Sequence, residues 1–177
     1  MKYKEAICQC MKKLAQDEKV KFLGYNVLHG SRAYGTLKDI PKEKCIETPL
    51  AENLMVGLAT GLSLEGFKPV VYIERHDFIL NALDGIVNHI DKIYTLSERE
   101  YKTPVLIRAV VGAQKPLYPG LQHIQDFSEQ LKTMVTFPVV DLKNVEDILN
   151  LYGEARRFEM PMILIERRDL YDLEGKV

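Results

Sequence analysis

Short apolar runs of strand length alternate along the chain with stretches whose apolar residues return every three to four positions. The runs are KFLGYNV, CIE, KPVVYIE, TPVLIRAVVG, FPVVDL and PMILIE. Between them, Ile7, Cys10, Met11 and Leu14 predict an amphipathic helix over residues 4–16, and a second helix runs from Pro49 to about Glu65. Ile79, Leu83, Ile86, Ile90 and Ile93 share one face of a third. Ile124, Phe127, Leu131 and Met134 mark a fourth, and Val145, Ile148, Leu149 and Tyr152 a fifth. Strands that alternate with helices favour parallel pairing, because each helix is the crossover that a parallel neighbour requires. The expected class is α/β, a mostly parallel sheet with helices on both faces. The 177 residues suit one domain, and no repeat, low-complexity tract or interior linker divides them. In such sheets ligands bind outside the carboxyl ends of the strands, so the loops after residues 27, 47, 74 and 112 are the ones to search.

Charge and cysteine content exclude several functions. Lys+Arg is 24 and Asp+Glu is 25, a net charge of -1, which leaves no cationic field for a nucleic-acid backbone. Three cysteines, Cys8, Cys10 and Cys45, make neither a disulfide framework nor a zinc site, and a helix cannot turn both Cys8 and Cys10 to the core. The N-terminal MKYKEAICQC lacks the apolar core of a signal peptide, and no apolar run approaches the ~18 residues of a membrane helix. The expectation is a reduced, cytoplasmic, soluble protein that binds neither nucleic acid nor membrane.

The segment TPLAENLMVGLATGLSLEG is unusual. Its polar residues are few, which predicts a helix buried all round. Thr48 is the expected N-cap and Pro49 the first helical residue. Glu52 is then a carboxyl group close to a helix start, and two readings fit it. Either it holds a ligand nitrogen or moves a proton, or it is a first-turn acid favoured by the helix dipole. Gly57 and Gly61 lie one turn apart, which suggests close approach of a ligand or of another helix, as at a symmetric subunit contact.

From Thr48 to Asn88 the chain resembles, without a gap, the pyrimidine-binding domain of thiamine-diphosphate enzymes. It is most similar to the beta subunit of 2-oxoacid (pyruvate) dehydrogenase decarboxylase components and more distantly similar to transketolase. The residues that carry the likeness are Thr48, Pro49, Glu52, Gly57, Ala59, Gly61, Gly66, Pro69, Val70, Asp77, Phe78, Ala82, Asp84, Ile86, Val87 and Asn88. It continues through PVLIRAVVGAQ, QHIQD and PMILIERRDLY, and so covers most of the chain. The resemblance implies that Glu52 hydrogen-bonds a ring nitrogen of the cofactor's aminopyrimidine. There a carboxyl group favours the imino tautomer, whose nitrogen takes the proton of the reactive thiazolium carbon.

Leu50, Tyr72, Arg75 and Phe78 are the candidates for the cofactor's surroundings, with ordinary core packing as the alternative for Tyr72 and Phe78. Arg75 stands where the family has an aromatic ring. Its guanidinium could stack on the pyrimidine or receive an anionic substrate, or it could face solvent or pair with Glu74. Tyr72 and Phe78 flank it at spacings of three. His123 in QHIQD matches an active-site histidine that assists proton transfer; the alternative is a loop residue capping a helix that begins near Gln125. His29 and His76 are further candidates for substrate contact, and His89 is read as structural.

The family's beta subunit carries a further domain, and its diphosphate and metal motif, Gly-Asp-Gly followed by Asn, has no match here. The chain therefore reads as a single pyrimidine-binding domain over residues 1–177, with neither that C-terminal domain nor a diphosphate-binding domain. The resemblance then implies a split enzyme using thiamine diphosphate and Mg2+, with the diphosphate and metal held by a separate subunit. Self-dimerisation would give a heterotetramer. Its small-molecule chemistry would be 2-oxoacid decarboxylation with acyl transfer, or transketolase-like transfer of two carbons. The alternative is a non-catalytic scaffold or regulatory subunit of the same fold.

Overall fold

A computed structural model of the chain describes residues 1–31, 34–115, 118–155, 157 and 159–175. Ala33 of the expected Gly-rich loop, Pro116, and the terminal Lys176 and Val177 lie outside the described residues. Six strands form one sheet: β1 (Val20–Gly24), β2 (Cys45–Glu47), β3 (Lys68–Ile73), β4 (Leu106–Val111), β5 (Val139–Asp141) and β6 (Met162–Arg167). Their order is β2-β1-β3-β4-β6-β5 and every pairing is parallel, as the alternation predicts.

The helices cover both faces. On one, α1 (Tyr3–Leu14) and α5 (Val145–Ala155) pack on Phe22, Val70, Leu106, Val110 and Leu164. On the other, α2 (Glu52–Leu64), the segment 76–96 and α4 (Ser128–Met134) pack on Val71, Ile73, Ile107, Ala109, Ile163 and Ile165. Residues buried on both faces explain why β4 and β6 read as continuous apolar runs instead of alternating ones. No helix among the described residues is long and apolar enough to cross a membrane.

The structure corrects two expectations about α2. The helix starts at Glu52 with Ala51 as N-cap, so Pro49 lies outside it, and the Thr48 hydroxyl is buried without a partner. Nor is the helix buried all round. Met55, Val56, Ala59, Thr60 and Ser63 face the sheet, but Leu54, Gly57, Leu58, Gly61 and Leu64 form a face open to solvent. A low polar content shows only that neither side of a helix is polar, and this one presents its second apolar side outward, with nothing among the described residues within 4 Å of where Cβ atoms on Gly57 and Gly61 would stand.

The third predicted helix is three pieces. His76–Ala82 is 3-10 helical, Gly85–Ile90 takes the wider π-helical turn, and α3 (Ile93–Leu96) is one α-helical turn. Close packing against α2 accompanies the change: a Cβ on Gly85 would lie 2.8 Å from Cγ1 of Val56. Ile79, Ile86 and Ile90 still reach the core, as their spacing predicts.

Candidate active site

The chain runs from β1 to β2 on one side and then crosses to β3 on the other, so β1 and β3 flank a topological switch point. Open α/β sheets leave a crevice there at the carboxyl ends of the strands. The crevice holds a cavity of about 220 Å3, lined by Tyr25 beyond β1, Leu50, Glu52 and Met55 at the start of α2, Tyr72 to Arg75 and Phe78 at the end of β3, and His123. That volume is below the ~300–1,000 Å3 of pockets that enclose a whole drug-sized ligand, and it suits one ring of a larger molecule.

Six of the eight residues singled out from the sequence meet in this cavity: Leu50, Glu52, Tyr72, Arg75, Phe78 and His123. Glu52 is 5% exposed, and its Oε2 accepts a hydrogen bond from Asn81 Nδ2 at 3.2 Å. Its Oε1 takes no hydrogen bond among the described residues. Phe78 meets the His123 imidazole edge to face, with ring centres 5.6 Å apart. Arg75 neither pairs with Glu74 nor points freely into solvent. Its Nη1 donates to the Tyr34 hydroxyl at 2.6 Å, and the guanidinium lies 5.4 Å from the centre of that ring. Tyr72 is buried beneath Arg108, whose guanidinium carbon is 4.9 Å from the ring centre.

The other two residues are placed elsewhere. His29 is exposed on the turn after β1 and does not line the cavity. His76 is fully buried, and its Nε2 accepts the Phe127 N–H at 3.0 Å, so it is not free to touch a substrate. The helix that His123 was expected to cap begins only at Ser128, where Asp126 accepts the backbone N–H.

Sequence reasoning missed Tyr25, Met55, Ile73 and Glu74. Glu74 is half-buried, and burial raises its carboxyl pKa while Arg75 and Asn26 pull it down. Its Oε2 and the Tyr72 hydroxyl are buried without hydrogen-bond partners among the described residues. Buried polar atoms are rarely left unpaired, so both are unusual, but neither oxygen presents surface to the cavity. The signal available in the sequence was the pair Glu74-Arg75, two charges directly after an apolar strand.

Leu50, Met55, Ile73 and Phe78 give the cavity apolar walls, and Glu52, Glu74 and His123 are polar residues of its lining. An apolar slot with a nearly buried carboxyl group fits a flat heteroaromatic ring with nitrogens, such as an aminopyrimidine. A larger but shallower groove of about 520 Å3 beside α1 is lined largely by surface Lys and acidic side chains and lacks such orphaned atoms. Among the described residues no group of three His, Cys, Asp or Glu could hold a metal ion.

Comparison with known proteins gives a consistent picture. Residues 1–174 match the family model described as "Transketolase, pyrimidine binding domain". The chain is 30% identical over 176 residues to the mitochondrial pyruvate dehydrogenase E1 component subunit beta of Saccharomyces cerevisiae, covering 97% of this chain and 48% of that protein. It is also 30% identical over 173 residues to the corresponding subunit of Rickettsia felis, covering 95% and 52%. The chain thus spans about half the length of these curated relatives. Among solved structures, "Split gene transketolase, inactive beta4 tetramer" superposes with a TM-score of 0.70 at 20% identity, over 93% of this chain and 50% of that one. A putative thiamin diphosphate-dependent enzyme from Mycobacterium smegmatis gives 0.64 at 14% identity, over 100% and 33%.

Proposed function

Because the chain belongs to the transketolase pyrimidine-binding domain family, we propose that it is the pyrimidine-holding subunit of a split thiamine-diphosphate enzyme. The observation that carries this reading is a nearly buried Glu52, with one oxygen unused by the protein, on a one-ring cavity at the switch point of the sheet. A separate subunit holds the diphosphate and its Mg2+. A transketolase from a split gene shares this fold, which supports a division of such enzymes between chains. The apolar outer face of α2 supports self-association, and hence a heterotetramer.

The reaction makes or breaks a carbon–carbon bond next to a carbonyl. The pyruvate dehydrogenase relatives favour 2-oxoacid decarboxylation with acyl transfer, and the transketolase neighbour favours transfer of two carbons. Thiamine diphosphate would supply, when bound, the carbon nucleophile that such chemistry needs.

In this chain Glu52 does the electrostatic work. Asn81 fixes the carboxyl rotamer through Oε2, and Oε1 would hold or share a proton with a ring nitrogen of the bound group. Leu50, Met55, Ile73 and Phe78 exclude water and fix the ring plane, which strengthens that hydrogen bond. His123, against Phe78, stands at the cavity edge and moves a proton to or from the substrate.

Tagged chain purified from its native lysate with a stoichiometric companion, the pair then binding thiamine diphosphate in a calorimeter, is the expected result. A chain that elutes alone and takes up no cofactor would move the weight to a scaffold or regulatory role. Arg75 gives a second measurement. If its charge serves an anionic substrate, Arg75→Phe raises KM about tenfold or more for charged substrates. Equal change for neutral substrates contradicts that role and leaves Arg75 as a wall anchored on Tyr34.

A further inference from the structure

Two consecutive side chains just beyond β3 take hold of the segment that carries His123. Asp77 Oδ1 accepts the backbone N–H of Gln125 at 3.0 Å and the Gln125 side-chain amide at 3.2 Å. His76 Nε2 accepts the backbone N–H of Phe127 at 3.0 Å, and the two rings stack with centres 6.1 Å apart and planes inclined by 19°. Both side chains are buried, so neither acceptor is easily replaced by water.

From the opposite side the end of β4 closes on the same segment. A Cβ on Gly112 would fall 1.8 Å from the His123 carbonyl oxygen, so the backbones meet where only glycine fits. His123 itself lacks such restraint. Its Nδ1 is buried without a partner, and its ring meets Phe78 only edge to face. The point from which the imidazole projects is therefore set by its backbone, and the backbone is held by Asp77, His76 and Gly112.

We propose that Asp77 and His76 are positioning residues that clamp residues 123–127 and thereby aim the His123 imidazole at the cavity. The proposal rests on the functional reading above for what His123 does there, but the clamp itself is a property of this chain. A group that must transfer a proton has to be held close to its productive geometry, and a displacement of about 1 Å costs roughly a hundredfold in rate.

The clamp has a direction in pH. Because Nε2 accepts the Phe127 N–H, the neutral ring carries its proton on Nδ1, and a second proton would have to go to Nε2, against that N–H. Burial lowers the His76 pKa; Asp126, Asp77 and Asp141 work to raise it, and Arg167 to lower it further. The folded clamp thus binds fewer protons than the open segment. Its stability is full above the ordinary histidine pKa of about 6.5 and is lost as pH falls below that value.

The test is hydrogen exchange by mass spectrometry on the full chain, followed by turnover with its companion. In His76→Leu and Asp77→Ala, peptides spanning 121–127 exchange about tenfold faster or more while strand peptides keep their protection. His76→Gln and Asp77→Asn, which retain an acceptor oxygen, restore slow exchange, and His76→Gln also removes the loosening seen in the wild type below about pH 6.5. In the assembled enzyme Asp77→Ala lowers kcat about tenfold to a hundredfold with cofactor affinity unchanged, and Asp77→Asn rescues it. Unchanged exchange at 121–127, or equal loss of protection in every strand, overturns the proposal. The exchange arm needs no cofactor, so a slow segment in a chain that binds no thiamine diphosphate would contradict the functional reading while the clamp stands.

Discussion

In the assembled enzyme, Glu52→Gln lowers kcat by about two to four orders of magnitude, the range that a positioned acid–base group supplies. The amide keeps the volume and can still accept from Asn81, so folding, assembly and cofactor binding are expected to persist. What it cannot do is hold a proton toward a ring nitrogen and release it. Stopped-flow turnover beside calorimetric cofactor binding separates the two quantities. Near wild-type kcat would remove Glu52 from the mechanism. A loss of binding without a further loss of kcat would make it a recognition group instead.

The second large effect lies beneath the site. Arg108 on β4 and Glu166 on β6 are both 0% exposed, with Arg108 Nε and Nη2 donating to the two carboxylate oxygens at 2.9 and 3.0 Å. Glu166 also accepts from the Tyr152 hydroxyl at 2.7 Å and the Tyr171 hydroxyl at 2.6 Å. Burial works against the charge on Arg108, but Glu166 and the surrounding tyrosines outweigh it and raise the guanidinium pKa. Arg108→Met leaves the carboxylate buried without its cation and is expected to cost about 3–5 kcal/mol of stability. Adding Glu166→Gln removes the stranded charge and should recover a large part of that loss, since the amide oxygen still receives a tyrosine hydroxyl. Urea unfolding of the wild type, both single variants and the double variant closes the cycle. A double variant whose loss equals the sum of the single losses would show that the pair is not coupled. Because Arg108 also lies over Tyr72, Arg108→Met should loosen one wall of the cavity as well.

The sheet was legible because strand and helix periods differ, and buried parallel strands cannot hide a run such as VLIRAVV. Glu52 was legible because a carboxyl group in an otherwise apolar helix needs a reason, and the resemblance supplied one. The breaks within 76–96 were not. Periodicity reports which residues face the core, and Ile79, Ile86 and Ile90 do so whether the turn is tight or wide. The turn depends on how closely Val56 approaches Gly85, which is a tertiary distance. Arg75 on Tyr34 joins residues 41 apart in sequence, and Arg108 with Glu166 joins residues 58 apart, so neither partner is visible locally. A charge inside each of two apolar strand runs was the available hint of the second pair; adjacency of β4 and β6 supplies the rest.

The outer leucines of α2 have a consequence beyond geometry. Leu54, Leu58 and Leu64 lie in water on the lone chain, beside two glycines that add no polar cover. Copies made in excess of whatever covers that stripe are sticky, and surfaces of this kind are what chaperones and proteases act upon. Clearance of uncovered copies and persistence of covered ones are the expected consequence. Cellular abundance of this polypeptide would then follow the supply of its companions more closely than its own rate of synthesis.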